Sequence, residues 1–146
     1  LQRRRQRQMC IRDRCNNFNR PVFVDTKKRR LFHKDNVFWK INKKEYDLLD
    51  KDHLPNASHL IVTLGSAGAM WSGMKFLPQV VKVFDVCGAG DTFMAALVYE
   101  FLKTKNMQKS IDLANRAAAI SVTHPGAYYL NKNDIESLYG GGNERN

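Results

Sequence analysis

A glycine-rich turn that runs directly into an apolar helical segment is the feature that most constrains the fold of this chain. Residues 92–103 carry apolar side chains almost all round a helix, and residues 85–91 before them read DVCGAGD. A helix without a clear polar face is expected inside a protein core. Short runs of β-branched and aromatic residues elsewhere alternate with helical patterns, which is typical of an α/β fold with a mainly parallel sheet.

The predicted strands precede this turn, and the predicted long helices follow it. Strands are expected at residues 21–25, 37–41 and 59–64, and a hairpin at residues 69–72 and 75–77 with Gly73 at its turn. Helices are expected at residues 43–50, 92–103, 107–122 and 131–138. A length of 146 residues suits one ordinary globular core.

The beginning of the chain differs in composition from the rest. Residues 1–20 contain seven arginines and one aspartate, so they supply +6 of the net charge of +10. Because residues 1–19 lack apolar periodicity, we predict a disordered tail that is not native to the domain; a nucleic-acid-binding arm is the alternative. Residues 20–146 are then the folded part, and their small positive net charge suits an enzyme that binds anionic substrates.

Several classes of protein are disfavoured by composition. No apolar run approaches the roughly 20 residues that cross a bilayer, and the N-terminus lacks the apolar stretch of a signal peptide. We therefore expect a cytoplasmic protein without a membrane or nucleic-acid partner. Cys10, Cys15 and Cys87 are expected to be reduced thiols, and the four histidines lack the spacing of zinc ligands.

The GAGD stretch has the chemistry of a phosphate site. Glycines let backbone amides approach a ligand, and the N-terminus of a helix presents unpaired N–H groups, so the amides of Gly88, Ala89, Gly90 and Asp91 are predicted to bind an anion. Asp91 would repel a phosphate unless the chemistry needs a base, and phosphoryl transfer to an alcohol needs one. The alternative is a plain glycine turn in which Asp91 is only a charge at the helix N-terminus.

The sequence DVCGAGDTF resembles the second signature of the PfkB (ribokinase-like) carbohydrate kinase family, whose usual form is DTxGAGD. The resemblance implies that Gly88, Ala89 and Gly90 form the anion hole and that Asp91 is the catalytic base. It also implies a ribokinase-like three-layer sandwich, of which residues 20–146 are the nucleotide-binding and catalytic half. Val86 stands where the family has Thr, close to the place of a monovalent cation, which argues against potassium dependence.

Three further stretches follow the order of this family. Asn42 and Glu45 are similar to its NxxE element, which implies that they organise magnesium and the phosphates through water. Thr63, Gly65 and Gly68 are similar to its TxGxxG loop, which lies against the nucleotide phosphates. Asn115 and Gly126 match the border of the adenine site. Without the resemblance, these residues would be a helix cap, a strand ending in a turn and a closely packed helix with its following loop.

The resemblance implies ATP-dependent phosphorylation of a sugar hydroxyl with Mg²⁺, by a full-length enzyme that is a homodimer. Residues 23–27 (FVDTK), 40–45 (KINKKE) and 84–93 are most similar to kinase domains that act on D-glycero-D-manno-heptose 7-phosphate in ADP-heptose synthesis. Ribokinase or fructokinase activity is the alternative. A catalytically incomplete fragment that only binds nucleotide is another.

Overall fold

The computed structural model describes residues 12–15 and 17–140, which divide into two compact units. The first unit extends to Val62 and includes Trp71–Gly73, and the second contains Thr63–Met70 and the chain from Met74 onward. Five strands lie in one sheet in the order β1-β2-β3-β4-β5. Within the described residues, no helix is both long and apolar enough to cross a membrane.

The first unit is built on two parallel strands. Its elements are β1 (Val22–Asp25), β2 (Val37–Asn42), α1 (Lys43–Asp47) and β3 (Leu60–Thr63, whose last residue is assigned to the second unit). Strands β1 and β2 pair in parallel, with Val22 opposite Val37 and Asp25 opposite Lys40. Alternate side chains of β2, from Val37, Trp39 and Ile41, are almost completely buried. This period of two forms the core side of the strand.

The strands β4 (Ala69–Trp71) and β5 (Met74–Phe76) form a hairpin. The two residues that join them, Ser72 and Gly73, have φ angles of 50° and 77°. A two-residue connection with both φ angles positive is the turn that matches the twist of paired strands. The hairpin predicted around Gly73 is therefore confirmed.

The second unit is mainly helical, with α2 (Ala89–Thr104), α3 (Met107–Ser121) and α4 (Lys132–Gly140). Asn106 caps α3 by accepting the N–H of Lys109, and Asn131 accepts the N–H groups of Asn133 and Asp134 at the start of α4. A buried cluster joins α3 to α4 through Leu113, Ala117 and Leu138. These caps and apolar contacts hold the helices that follow the glycine-rich turn.

The predicted elements are all present, but two helices differ from their predicted bounds by three residues at one end. Helix α2 begins at Ala89 rather than at residue 92, so Ala89, Gly90 and Asp91 are helical. It buries one stripe, Phe93, Leu97 and Glu100, and not its whole circumference. Helix α1 ends at Asp47 rather than at residue 50, because Asp50 instead caps a 3₁₀ turn, Lys51–His53, by accepting the N–H of Asp52.

The predicted disordered tail, residues 1–19, falls largely outside the described residues. Of the part that is described, residues 12–15 are helical and Cys15 is buried. The side chain of Lys34 donates to the carbonyl oxygen of Cys15, and that of Asn36 donates to the carbonyl oxygen of Phe18. These contacts lie within the first unit, so residues 12–15 and 17–19 contribute to its packing. Cys15 and Cys87 are free thiols.

Candidate functional site

The start of α2 has the backbone conformation of an anion site. Gly88 is the N-cap residue, with a φ angle of 75°, and Thr92 donates the first helical hydrogen bond to its carbonyl oxygen at 2.9 Å. A Cβ atom on Gly88 would lie 3.4 Å from Ala127, an ordinary contact distance, so the position favours glycine through its φ angle. The glycine predicted from the sequence is therefore needed to begin the helix.

The first helical amides after Gly88 make few backbone hydrogen bonds. Ala89 donates weakly to the carbonyl oxygen of Val86 at 3.3 Å, whereas the N–H groups of Gly90 and Asp91 meet no backbone acceptor within residues 17–140. The Asp91 side chain is exposed in the same turn. Two unpaired donors beside an exposed carboxylate can bind an anionic group and accept a proton from a neighbouring hydroxyl.

Asp85 is a residue of this site for which the sequence pattern predicted no role. One carboxylate oxygen accepts the N–H of Cys87 and the other accepts the N–H of Gly126, both at 2.9 Å. These amides hold the pKa of Asp85 below its ordinary value, with the Cys87 amide the larger cause. The N–H of Asp85 and that of Phe84 donate to the carbonyl oxygen of Val122. The hydrogen bonds of Asp85 thus connect the loop before α2 to the loop after α3.

The two glycines of the predicted phosphate loop after β3 have different surroundings. Gly65 has a φ angle of 59°, and a Cβ atom there would meet nothing within 4 Å. Gly68 has a φ angle of 91°, and its Cβ would lie 1.9 Å from the carbonyl oxygen of Phe76. Gly65 therefore has open space that a ligand can approach, whereas Gly68 is required by the close approach of β5. Thr63 ends β3 immediately before this loop.

Asn115 and Gly126, predicted at the border of the adenine, both have internal partners. Asn115 is 5% exposed, and its side-chain amide donates to the carbonyl oxygen of Phe76 at 3.1 Å. A direct contact with a base needs an exposed polar atom, so this burial favours a structural role for Asn115, and the base contact stays a prediction. Gly126 has a φ angle of 67° and gives its N–H to Asp85.

Asn42 and Glu45 belong to the first unit and cap α1 reciprocally. The side chain of Asn42 accepts the N–H of Glu45, and the carboxylate of Glu45 accepts the N–H of Asn42, both at 2.9 Å. This capping box occupies one oxygen on each side chain. Among the described residues, no group of three or more His, Cys, Asp or Glu side chains could hold a metal ion. The pair fits contact with Mg²⁺ through water better than direct coordination.

The structure therefore distributes the predicted residues over the two units. Gly88, Ala89, Gly90 and Asp91 lie at the start of α2, and Asp85 ties them to Gly126. Thr63, Gly65, Gly68 and Asn115 also belong to this second unit, whereas Asn42 and Glu45 belong to the first. Chemically, the α2 N-terminus offers amides for a transferring phosphoryl group beside a carboxylate that can serve as a base.

Comparison with known proteins places this chain among carbohydrate kinases. Residues 36–134 match the family described as pfkB family carbohydrate kinase. The "Bifunctional protein HldE" of a Nitratiruptor species is 35% identical over 135 residues, which cover 80% of this chain and 29% of that protein. The "Probable fructokinase-3" of Arabidopsis thaliana is 34% identical over 95 residues, which cover 58% of this chain and 28% of that protein.

The fold matches a solved structure as well. Ribokinase from Thermotoga maritima superposes with a TM-score of 0.67 and 25% sequence identity, covering 88% of this chain and 52% of that chain. The predicted α/β fold of ribokinase-like type, with a mainly parallel sheet, is thereby confirmed. This chain spans about half of that ribokinase and less than a third of the two curated relatives.

Proposed function

The chain belongs to the pfkB family of carbohydrate kinases, and from this premise we propose that it binds ATP and supplies the catalytic base for phosphoryl transfer to a sugar hydroxyl. The observation that carries the proposal is the start of α2. There, the unpaired N–H groups of Gly90 and Asp91 lie in the same helical turn as the exposed Asp91 carboxylate. An anion hole beside a base is what transfer of a phosphoryl group to an alcohol needs.

In this mechanism Asp91 accepts the proton of the attacking sugar hydroxyl. The oxygen of that hydroxyl forms a bond to the γ-phosphorus of ATP as the bond to the leaving ADP oxygen breaks. The amides of Gly90 and Asp91 stabilise the negative charge on the transferring group, which becomes part of the sugar phosphate. General-base catalysis of this kind contributes a factor of about 10² to 10⁴ in rate.

Gly65 is proposed to approach the nucleotide phosphates, since the space beside its Cα is open. Asp85 orients the site by fixing the amides of Cys87 and Gly126. When bound, Mg²⁺ would neutralise phosphate charge, and Asn42 and Glu45 would hold it through water. Val86 offers no side-chain oxygen to a monovalent cation, so we propose that turnover does not depend on potassium.

The proposed substrate is D-glycero-D-manno-heptose 7-phosphate. The similarity to HldE supports it, together with the resemblance of residues 23–27 and 40–45 to heptose 7-phosphate kinase domains. The fructokinase and ribokinase similarities support fructose and ribose as the competing substrates. We further propose that residues 20–146 form the nucleotide-binding and catalytic half of the kinase domain.

The proposal is tested with the 146-residue chain and with a complete kinase that contains it. The chain alone should bind Mg-ATP weakly in calorimetry and transfer no phosphate. The complete kinase should turn over heptose 7-phosphate with a higher kcat/KM than ribose or fructose. If the complete kinase had an equal or higher kcat/KM for ribose, the proposed substrate would be wrong. If neither protein bound ATP, the proposed function would be rejected.

A further inference from the structure

The second unit contains a cavity that the proposed reaction does not use. It measures about 240 Å³ and lies between helices α2, α3 and α4. Six of the side chains that line it are Glu100, Lys109, Leu113, Arg116, Leu138 and Tyr139. Glu100 follows Asp91 by nine residues on α2, which is about 14 Å along a helix. The cavity is therefore separate from the anion-binding amides at the start of α2.

Glu100 is a buried carboxylate with one unpaired oxygen. It is 7% exposed, and its Oε2 accepts the hydroxyl of Tyr139 at 2.9 Å. Its Oε1 makes no hydrogen bond within the described part of the chain. A buried carboxylate oxygen without a partner costs free energy, because it has lost hydration without gaining an equivalent contact. A donor in the cavity would supply that contact, and a cationic donor would form the strongest hydrogen bond.

Two cations line the same cavity without pairing with Glu100. Lys109 and Arg116 are seven residues apart on α3, so they lie on the same face of that helix. Lys109 is exposed and Arg116 is half-buried, and neither forms an ion pair with a described residue. Asp112, which is also exposed, is the second carboxylate of the lining. The cavity thus presents two positive and two negative groups that make no direct ion pairs.

The charges of the lining indicate the chemistry of the ligand. A ligand of only one charge would face two groups of like charge, whichever its sign. A molecule that carries both charges can place a cation against Glu100 and a carboxylate against Arg116, whose planar guanidinium suits a carboxylate. Leu113 and Leu138, which are 4% and 6% exposed, supply apolar contact. We propose that this cavity binds a small zwitterion with an ammonium group and a carboxylate, the chemistry of a free amino acid. The proposal is independent of the proposed phosphoryl transfer.

The experiment titrates the 146-residue chain with L-leucine and with two probes that each lack one charged group. Isoamylamine is leucine without its carboxylate, and isocaproate is leucine without its ammonium group. With leucine, the backbone amide chemical shifts measured by NMR should change around Glu100, Arg116 and Leu138, and they should saturate with a Kd of about 1 mM or lower. Each probe should bind about tenfold or more weakly than leucine, because it leaves one charged contact unmade.

Two substitutions assign the contacts. Glu100→Gln keeps an acceptor for Tyr139 but removes the negative charge, so it should lower the affinity for leucine about tenfold, to that for isocaproate. Arg116→Gln should lower the affinity for leucine to that for isoamylamine. Glu136→Gln is the matched control, because Glu136 is a carboxylate on α4 with a side chain that is 66% exposed, outside the lining of the cavity. It should bind leucine like the unmodified chain.

Three results would overturn the proposal. The first is the absence of saturable shifts with leucine at about 10 mM, where a ligand with the expected Kd would be nearly saturating. The second is equal binding of leucine and either probe, since the cavity would then recognise one charge only. The third is an equal loss of leucine affinity in Glu136→Gln. If the NMR spectrum shows that Glu100→Gln does not fold, Arg116→Gln keeps the test decisive, because it must weaken leucine binding without weakening isoamylamine binding.

Discussion

The carboxylate of Asp85 accepts the backbone N–H of Gly126 at 2.9 Å, across 41 positions of sequence. Its other oxygen accepts the N–H of Cys87, next to Gly88, at which α2 begins. One side chain therefore fixes two loops that sequence resemblance assigns to different parts of a nucleotide site. The connection makes Asp85 a positioning residue rather than a catalytic one.

Asp85→Ala should loosen both loops, because the amides of Cys87 and Gly126 lose their acceptor. Hydrogen–deuterium exchange should accelerate at residues 87–90 and 124–127, and ATP affinity should fall while helical content is kept. Asp134→Ala is a suitable control, since Asp134 accepts the N–H of Asn131 at another loop. Unchanged exchange at residue 126 in the Asp85 variant would contradict the role of this side chain.

The same hydrogen bonds predict a dependence on pH. The pKa of Asp85 is lowered in the folded chain, so its contribution to stability is fully present above its ordinary value of 3.8. That contribution is lost as the pH falls through the lower folded pKa. Thermal melts between pH 7 and pH 5 should therefore show no effect of Asp85 titration. Below about pH 4 the unmodified chain should lose more stability than Asp85→Ala does.

Local signals in the sequence predicted their structures well, whereas long-range contacts could not be anticipated. The reciprocal cap of Asn42 and Glu45 is a four-residue pattern, and Gly73 marks a two-residue hairpin turn. The partners of Asp85 and Asn115 lie 41 and 39 residues away, so no pattern of spacing identifies them. Their positions depend on tertiary packing.

The burial of helix α2 is a second feature that depends on tertiary contacts. Its composition predicted burial on all sides, yet Tyr99 and Leu102 are more than half exposed. A pattern of apolar residues shows which faces of a helix could be buried, but the elements that pack against the helix decide which faces are buried. Helix α2 also begins earlier than predicted, for a different reason. Its glycines indicated a turn, but Ala89 and Gly90 lie in the first turn of the helix, where the backbone N–H groups have no partner within the helix in any case.

Gly65 and Gly73 form a matched pair for testing the phosphate loop. Both have positive φ angles, 59° and 77°, and a Cβ atom at either position meets nothing within 4 Å. Alanine at each should therefore reduce stability similarly, by about 1–2 kcal/mol for the left-handed backbone. Only Gly65→Ala should weaken ATP binding, because only that methyl group would occupy the proposed approach of the phosphates. Equal ATP affinity of the two variants in calorimetry would contradict the assignment of Gly65.

Tyr139 and Glu100 join α4 to α2 through a hydrogen bond of 2.9 Å, and Glu100 is 7% exposed. Tyr139→Phe leaves this buried carboxylate without its phenol donor, which should cost about 1–3 kcal/mol in unfolding free energy. Tyr129→Phe is the control, because Tyr129 is 89% exposed and its loss should be nearly neutral. Urea unfolding of both variants makes the comparison, and equal stabilities would show that the hydrogen bond contributes nothing.

The hydrogen bond between Tyr139 and Glu100 should also make stability depend on pH in the alkaline range. Burial and the hydrogen bond to Glu100 raise the pKa of Tyr139 to about 12 from 10.0. Since the unfolded chain ionises first, the contribution of Tyr139 is present below about pH 10 and is lost as the pH rises toward its folded pKa. The stability difference between the unmodified chain and Tyr139→Phe should shrink over that interval. A difference that grows with pH would contradict the raised pKa.

The contacts of residues 12–15 and 17–19 bear on the expectation that residues 1–19 are a disordered tail outside the domain. Deleting residues 1–11 should leave both the melting temperature and ATP affinity unchanged. Deleting residues 1–19 should lower the melting temperature, because it removes buried Cys15 and the acceptors of Lys34 and Asn36. ATP affinity should still be unchanged if the tail has no part in the site. A loss of affinity in the shorter deletion would instead support an anion-binding role for its arginines.

Asp91→Asn tests the catalytic base most directly, because the substitution keeps the size and polarity of the side chain but removes its ability to accept a proton. In a complete kinase that contains this chain, kcat should fall by about 10² or more while the Kd for ATP changes by only a few-fold, as for an interaction made mainly in the transition state. Asp112→Asn, an exposed carboxylate on α3, is the control and should keep normal turnover. If Asp91 were only a charge near the start of α2, its neutralisation would cost a few tenths to about 1 kcal/mol of stability and leave turnover nearly intact. Near-normal kcat in Asp91→Asn would therefore reject the assignment, whereas lost turnover with a preserved fold and retained ATP binding would support it.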